Sequence, residues 1–361
     1  TECLTMYDIF YVGKGAISNT AWEEFKQRYP NAQKLENVKS FEEVKRRAFT
    51  KMFWVVWDYV LLDPEFNLDY RVPKWDEKYV HVFKNGNFYD GICIFPKNAR
   101  ILQREWEYRF FTNKKEMDTV ASYPRKYDVV FISYNELSAE TNFSALLTHI
   151  DGNRVHWVQG VKGIHQAHIE AAKRVSTDMF YVVDADADIA DSFKFNYQIP
   201  HFDFNAKNTV YVWQSQNPVN DLVYGYGGVK LLPTQMTIDM DLSKADMTTS
   251  ISKLFRPMPE ISNVTRFNTD AFSAWRSAFR ECCKLASRVI DRQDDKETQQ
   301  RLEAWNTLNE SVPYGAYAYM GAIAGKYFGL FWQNAPAELA KINDFDWLKE
   351  QFELAKENLN G

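Results

Sequence analysis

The chain of 361 residues states one pattern twice, and a repeat of this length admits few folds. The run TKMFWVVWDYVLLDPEFNLDYRVP, Thr50 to Pro73, aligns without a gap on TDMFYVVDADADIADSFKFNYQIP, Thr177 to Pro200, an offset of 127 residues. Upstream, Tyr7-Asp8-Ile9-Phe10-Tyr11-Val12 aligns on Tyr127-Asp128-Val129-Val130-Phe131-Ile132 at an offset of 120. Downstream, YVHVF ending at Phe83 aligns on VYVW ending at Trp213, and YDGICIFP ending at Pro96 on GYGGVKLLP ending at Pro233. Drift in the offset marks loop insertions. Each copy runs from an apolar strand through an amphipathic helix (41–49 and 168–176) to a near-continuous apolar strand (52–56 and 179–183). That is the order of a βαβ unit, with parallel strands covered on both faces. From about residue 271 the periodicity becomes helical, over 271–290, 296–308, 316–330 and 337–358. The expected organisation is therefore a first α/β unit over 1–120, a second over 121–270, and a helical section over 271–361 packed on the second.

Composition adds mainly exclusions. Charged residues make up 25% of the chain and aromatic residues 16%, with only 15 Gly and 12 Pro, so a large packed core is feasible and flexible linkers are not expected. A formal net charge of -5 announces no polyanion-binding field, so such binding must rest on local patches. Cys3, Cys93, Cys282 and Cys283 fit neither a disulfide framework nor a C-x-x-C zinc site, which points to a reducing, cytoplasmic setting. No 18-residue apolar run and no signal-like start appears, so neither a membrane span nor membrane attachment is expected. The N-x-S/T matches at Asn142, Asn263 and Asn309 then carry no glycan. No feature requires an obligate protein partner.

The two copies differ where chemistry is expected. The second strand of the later copy ends in Asp184-Ala185-Asp186-Ala187-Asp188, and the aligned residues of the earlier copy are Trp57-Asp58-Tyr59-Val60-Leu61. Carboxylates at the carboxyl end of a buried parallel strand sit where open α/β sheets bind ligands. Gathering them in a cleft is costly unless a cation compensates, and carboxylate-only ligation suits Mg2+ or Mn2+ with diphosphate oxygens. Asp186 and Asp188 are the candidate metal ligands. The later copy also gains four residues, readable as His165-Gln166-Ala167-His168, just after Lys162 and Gly163. At a helix start they could meet a nucleotide; equally, they could form a longer loop with solvated imidazoles.

At these residues the chain resembles GT-A-fold glycosyltransferases, over about Tyr127 to Leu285. SYNE (Ser133 to Glu136) resembles the family's first-strand nucleotide loop, and IHQAHIEAAKRVSTDMFYVVDADAD its helix-to-D-x-D segment. The resemblance implies tandem GT-A-like (Rossmann-like) units, the first degenerate. It implies a nucleotide-sugar site containing Tyr134, Asn135, Glu136, Lys162, His165, His168 and Asp184, with Asp186 on the metal. NPVNDLVYGYGGVKLLP resembles the strand and acceptor loop, here Gly227-Gly228, and Asn268-Thr269-Asp270 stands at the x-E-D position whose carboxylate is the base in inverting members. Read without the family, Asp270 is an N-cap before an amphipathic helix, and both roles can hold. A later His often completes the family's metal shell, whereas every His here lies at or before His201. Metal binding would then lean on Asp186 and the diphosphate, or on another group.

More narrowly, the whole chain is similar to phage-encoded glycosyltransferases that add glucosyl or arabinosyl groups to 5-hydroxymethylated pyrimidines in DNA. This implies a UDP-sugar donor (UDP-arabinose or UDP-glucose), hydroxymethylcytosine in double-stranded DNA as acceptor, and the cytoplasm of an infected host as the setting. Two segments, each with a local excess of four positive charges, are candidate DNA contacts: one holds Arg104, Arg109, Lys114 and Lys115, the other Arg276 and Arg280. The i, i+4 spacing of the second also fits a solvated helix face. Two other readings stay open: a GT-A transferase acting on a polysaccharide, glycan or protein, and a non-catalytic nucleotide- or DNA-binding pseudoenzyme.

Overall fold

Two sheets built on one plan organise the chain. The computed structural model describes residues 6–85, 88–100, 113–134, 136, 138–200, 203, 205–224, 228–244, 246–290 and 293–360. They form two units, one of 1–126, 176–178 and 196–207, the other of 127–175, 179–195 and 208–361.

The first unit runs β1 (Asp8–Val12), α1 (Asn19–Arg28), β2 (Gln33–Leu35), α2 (Phe41–Arg47), β3 (Met52–Trp57), β4 (Val60–Leu62), β5 (Val80–Asn85), β6 (Phe88–Pro96), β7 (Lys114–Asp118) and β8 (Ser122–Pro124). Its six-stranded sheet has the order β2-β1-β3-β6-β5-β7, and β4 pairs with β8 apart from it. All six side chains of β3 are buried, as a central strand covered on both faces requires. Around it Phe41, Phe53 and Phe95 pack as one aromatic cluster, with centroids 4.7–6.0 Å apart.

The second unit runs β9 (Asp128–Ser133), α3 (Ala139–Thr148), β10 (Val155–Gln159), α4 (Ile164–Arg174), β11 (Met179–Asp184), β12 (Ala187–Ile189), β13 (Thr209–Gln216), β14 (Val223–Tyr224), β15 (Val229–Pro233), α5 (Thr234–Ile238), α6 (Met247–Ile251) and β16 (Leu254–Thr265). Its main order is β10-β9-β11-β15-β13-β16-β12. Both sheets take the same sequence of parallel and antiparallel neighbours across their first six strands. Register carries the repeat residue by residue. Asp8 faces Phe53 and Asp128 faces Phe180; Met52 faces Pro96 and Met179 faces Pro233. Even the small pairings correspond, since Val60 faces Pro124 and Ala187 faces Thr265.

The helical section belongs to the second unit: α7 (Ala271–Ser287), α8 (Asp295–Trp305), α9 (Gly315–Phe331), α10 (Pro336–Leu339) and α11 (Phe345–Asn360). α7 buries Trp275, Phe279, Cys282 and Cys283. Against it α9 lays Gly321, Gly325 and Gly329, where an added Cβ would lie 2.2, 2.1 and 2.5 Å from the carbonyl oxygens of Trp275, Phe279 and Cys283. Small residues at i, i+4 spacing thus let two backbones touch. The periodicity over 337–358 predicts one helix, but the chain breaks it with a 3-10 turn at Ala340–Asn343. Asp344 then caps a new helix, its Oδ1 accepting from the N–H groups of Asp346 (3.0 Å) and Trp347 (3.2 Å). No disulfide joins the described cysteines, Cys93, Cys282 and Cys283. Among the described residues no helix is long and apolar enough to cross a membrane.

Candidate functional site

β9 and β11 are parallel neighbours in the second sheet, so their carboxyl ends open side by side. Pairing continues one residue past β11, where Ala185 N donates to Ile132 O at 2.9 Å, and the chain then turns at Ala185–Asp186. Two bonds hold that turn: Asn142 of α3 donates its amide to Ala185 O (2.6 Å), and Arg266 N donates to Asp186 O (2.6 Å). Gly228 passes close by, its carbonyl accepting from Asp184 N at 2.9 Å. A Cβ on Gly228 would sit 2.5 Å from Ala187 Cβ, so only glycine fits.

Lys230 faces Val182 across the β11–β15 pair, and side chains two residues apart share a face. Its ammonium therefore reaches Asp184, Nζ to Oδ2 2.8 Å, while the lysine is nine-tenths buried. Asp186 lies beside this pair. Burial, reinforced by the charge of Asp184, pushes its carboxyl up to about 7; Glu136 adds to the push, and Arg276 and Lys230 oppose it. Three carboxylates thus gather with two cations, and Asp186 resists ionising because it is buried beside a second carboxylate. A divalent cation fits that deficit, and oxygen-only donors suit Mg2+ or Mn2+. Among the described residues, though, no group of three or more His, Cys, Asp or Glu side chains is placed to hold a metal. The remaining coordination positions would have to come from a ligand or water.

The third aspartate turns away. β12 alternates, burying Ala187 and Ile189 and exposing Asp188, whose side chain is 58% exposed and pairs with Arg266 at 3.3 Å. Tyr134 leads out of β9 with its N–H on Glu136 Oε2 (2.6 Å) and its hydroxyl buried without a partner. Burial and then Asp184 raise that phenol's pKa, with Arg280 and Arg276 pulling the other way. Asn135 and Gly227 lie outside the described residues.

The four-residue gain proves to be neither a loop nor a solvated turn. α4 has 11 residues where α2 has 7, so the insertion adds one helical turn. His168 is 1% exposed, its Nδ1 on Ile164 O at 2.8 Å, and its Nε2 has no partner. Burial, with Lys230 adding, drives its pKa down to about 4, so the ring is neutral. His165 is half-buried with Nε2 3.2 Å from Ser250 Oγ, and burial lowers its pKa too. Lys162 is exposed and pairs with Asp346 at 2.8 Å.

Asp270 caps α7. Its Oδ1 accepts from Ser273 N (2.8 Å) and its Oδ2 from Ser273 Oγ (2.7 Å). The arginines of α7 are not a solvated row. Arg276 packs over Phe272 and Phe345 and stands within charge range of Asp186. Arg280 donates to Ile342 O (2.8 Å) and Asn343 Oδ1 (2.9 Å). Lys114 and Lys115 on β7 pair with Glu116 (3.1 Å) and Asp76 (2.5 Å), while Arg104 and Arg109 lie outside the described residues.

A cavity of about 210 Å3 opens beside the Asp184–Lys230 pair, walled also by Asn217, Arg280, Lys284 and Trp305. A larger groove of about 880 Å3 shares Asp246 and Thr248 with it but contains neither Asp184 nor Asp186. Within the cavity wall, burial would raise Asp246, yet Lys284 at 3.2 Å and a bond from Thr248 hold it down to about 2.

The corresponding place in the first unit is filled. Trp57 and Tyr59, aligned with Asp184 and Asp186, are buried and stacked with centroids 6.0 Å apart, and Cys93 stands where Lys230 does. Asp58 points instead to Lys207 (3.0 Å), which Asp178 also meets (3.0 Å). Burial lifts Asp58 to about 6, Lys207 opposing and Asp178 adding.

Sequence reading passed over Lys230, a cation inside the apolar run VKLLP aligned on ICIFP, although that interruption was legible. Asn142, Asn217 and Trp305 offered no comparable signal, because only the fold brings α3, the β13–β14 turn and α8 to the site.

No family of known sequences matches the chain. No curated protein matches it. Among solved structures, the crystal structure of HddC from Yersinia pseudotuberculosis aligns with 38% of this chain and 71% of its own, at 12% identity and a TM-score of 0.23, a likeness that carries no argument.

Proposed function

We propose that the protein is a GT-A-fold glycosyltransferase that moves a sugar from a UDP-sugar (UDP-arabinose or UDP-glucose) to a hydroxyl, the acceptor being the hydroxymethyl group of modified cytosine in double-stranded phage DNA. One observation carries the reading: a carboxylate cluster short of positive charge at the carboxyl end of a buried parallel strand, absent from the matching place in the first unit. Asp186, with Asp184 beside it, would hold Mn2+ or Mg2+. When bound, the ion neutralises charge on the diphosphate leaving group. Lys230 and Arg276 add positive charge on the same side and orient the diphosphate. Tyr134 offers a buried hydroxyl to the nucleotide. In an inverting reaction Asp270 takes the acceptor proton, for which its carboxylate must exchange a Ser273 bond for the acceptor hydroxyl.

Incubating the full chain with hydroxymethylcytosine-containing DNA, Mn2+ and a panel of UDP-sugars, followed by mass spectrometry of the nucleosides, tests this. One glycosyl mass gained on hydroxymethylcytosine supports it. UDP-sugar hydrolysed to UDP and free sugar while the DNA stays unmodified keeps the donor assignment and moves the search for the acceptor to a glycan, polysaccharide or protein. That second reading has its own support, since Lys114, Lys115 and Arg280 are all engaged within the chain. Transfer that weakens steeply with salt would favour DNA.

A further inference from the structure

The two most exposed large apolar side chains among the described residues stand at one end of the first sheet: Phe49 is 86% exposed and Trp75 77%. β3 and β5 both run antiparallel to β6, with Met52 facing Pro96 and His81 facing Ile94, so the starts of β3 and β5 and the end of β6 lie together. Phe49 enters on the β1 side of that end, its N–H on Asp8 Oδ2 at 2.6 Å. Trp75 enters on the β7 side, in the turn Lys74–Asp76, which Asp76 ties to Lys115 near the start of β7 (2.5 Å). Between them in the strand order come Lys51 and Lys97, joined by Lys97 N donating to Lys51 O at 2.7 Å.

A solitary apolar side chain on a surface needs no explanation, but two beside unmatched cations do. Arg47, Lys51 and Lys97 are exposed, and none pairs with a carboxylate among the described residues. The carboxylates here are mostly engaged. Asp8 also takes the N–H of Thr50 (2.8 Å), Glu42 pairs with Lys45 (3.1 Å), and Asp76 with Lys115. Glu77 remains, half-buried and flanked in its own loop by Lys74 and Lys78. The chain as a whole carries a formal charge of -5, so this end departs from the rest in sign.

The second copy of the repeat supplies the control. Arg174, aligned with Arg47, donates to Trp157 O (2.6 Å). Ser176, aligned with Phe49, is 6% exposed, and Asp178, aligned with Lys51, pairs with Lys207 (3.0 Å). Thr234 follows Pro233 where Lys97 follows Pro96. The shared fold therefore requires neither the exposed rings nor the free cations.

Cations attract a phosphate chain, and an exposed ring offers its face to an unstacked base. A duplex hides its base faces in the stack, whereas a single strand presents them. A membrane surface favours a contiguous apolar face with cations at its rim. Here Lys51 and Lys97 fall between the two rings, as phosphates fall between successive nucleosides. We infer that this end of the first unit binds single-stranded nucleic acid, Phe49 and Trp75 stacking on bases and Arg47, Lys51 and Lys97 meeting phosphates. The site is separate from the proposed transferase centre and does not rest on that reading.

Fluorescence anisotropy of a labelled oligothymidylate of about 12 nucleotides, titrated with the full chain at low salt without metal, tests it. The single strand should bind about tenfold or more tighter than a duplex of the same length lacking hydroxymethylcytosine. Phe49→Ala and Trp75→Ala should each weaken it about fivefold or more, with unchanged thermal melts because both side chains are exposed. Lys51→Gln combined with Lys97→Gln should reduce the slope of log affinity against log salt by about 1. Excess UDP with Mn2+ should leave the affinity as it was, which keeps this site distinct from the transferase centre. No binding of the single strand, equal or tighter binding of the duplex, ring variants that bind as the natural chain does, or displacement by UDP overturns the inference. So does co-sedimentation with phosphatidylserine vesicles that the ring variants abolish while strand binding stays intact.

Discussion

Residues 59 and 186 occupy the same point of the same fold, one a buried phenol stacked on Trp57, the other a carboxyl short of a counter-charge. The surrounding scaffold is alike to the level of single contacts. Arg125 N bonds Tyr59 O as Arg266 N bonds Asp186 O, and a Cβ on Gly91 would crowd Val60 as one on Gly228 would crowd Ala187. At the strand end itself three side chains differ: Trp57 for Asp184, Tyr59 for Asp186, Cys93 for Lys230. The glycine serves the turn and was kept in both units; the charges serve a ligand and are present in one. Asp58, the carboxylate the first unit does have, points at Lys207 and ties residues 176–178 and 196–207 to that unit.

This comparison can be broken most sharply at Asp186. Asp186→Asn is expected to lower transfer by about 1,000-fold or more at unchanged thermal stability. Tyr59→Asp in the first unit is expected to gain no metal-dependent UDP binding and to destabilise the chain, because it buries an unmatched carboxylate. Metal-dependent binding gained by Tyr59→Asp would show that side chains alone separate the two units.

The titration of His168 sharpens it next. Folding depresses its pKa from 6.5 to about 4, so between those values the unfolded chain binds the proton and the folded chain does not. Stability is therefore complete above pH 6.5 and falls as pH drops towards 4, by roughly 3 kcal/mol at ~1.4 kcal/mol per unit. Urea denaturation across that window should show a flatter slope for His168→Gln. Asp58 has the opposite sign: its raised pKa favours the folded chain as pH falls through about 6.

Gly228→Ala and Gly91→Ala should each cost about 1–3 kcal/mol by overpacking. Gly91 should cost more, because its φ of +65° adds strain to the close approach. No loss at either glycine, or a larger loss at Gly228 than at Gly91, in urea melts would show that the two turns are less alike than their registers. The smallest effect belongs to Asp188→Asn. An exposed pair with Arg266 is worth about 0–1 kcal/mol, and turnover should change less than about threefold; a large loss of activity would return Asp188 to the metal.

The repeat, its strand registers and the placement of Asp184 and Asp186 were legible in the sequence because apolar runs with fixed offsets specify which strands are central and where each ends. The break at Asp344 was not, since capping decides it against a continuous helical period. Nor was the inward turn of His165 and His168: four inserted residues, three of them polar, read the same whether they lengthen a loop or a helix. The α7 arginines looked like a solvated row because i, i+4 spacing shows one face without showing what packs on it, here Phe345 and the Ala340–Asn343 turn.

Calorimetry of UDP binding to the full chain and to Asp186→Asn, with and without Mn2+, tests the central claim most directly. Mn2+ should tighten UDP binding about tenfold or more in the natural chain and have no effect in the variant. Equal UDP affinity with and without Mn2+ in the natural chain, or an undiminished Mn2+ effect in the variant, would contradict it.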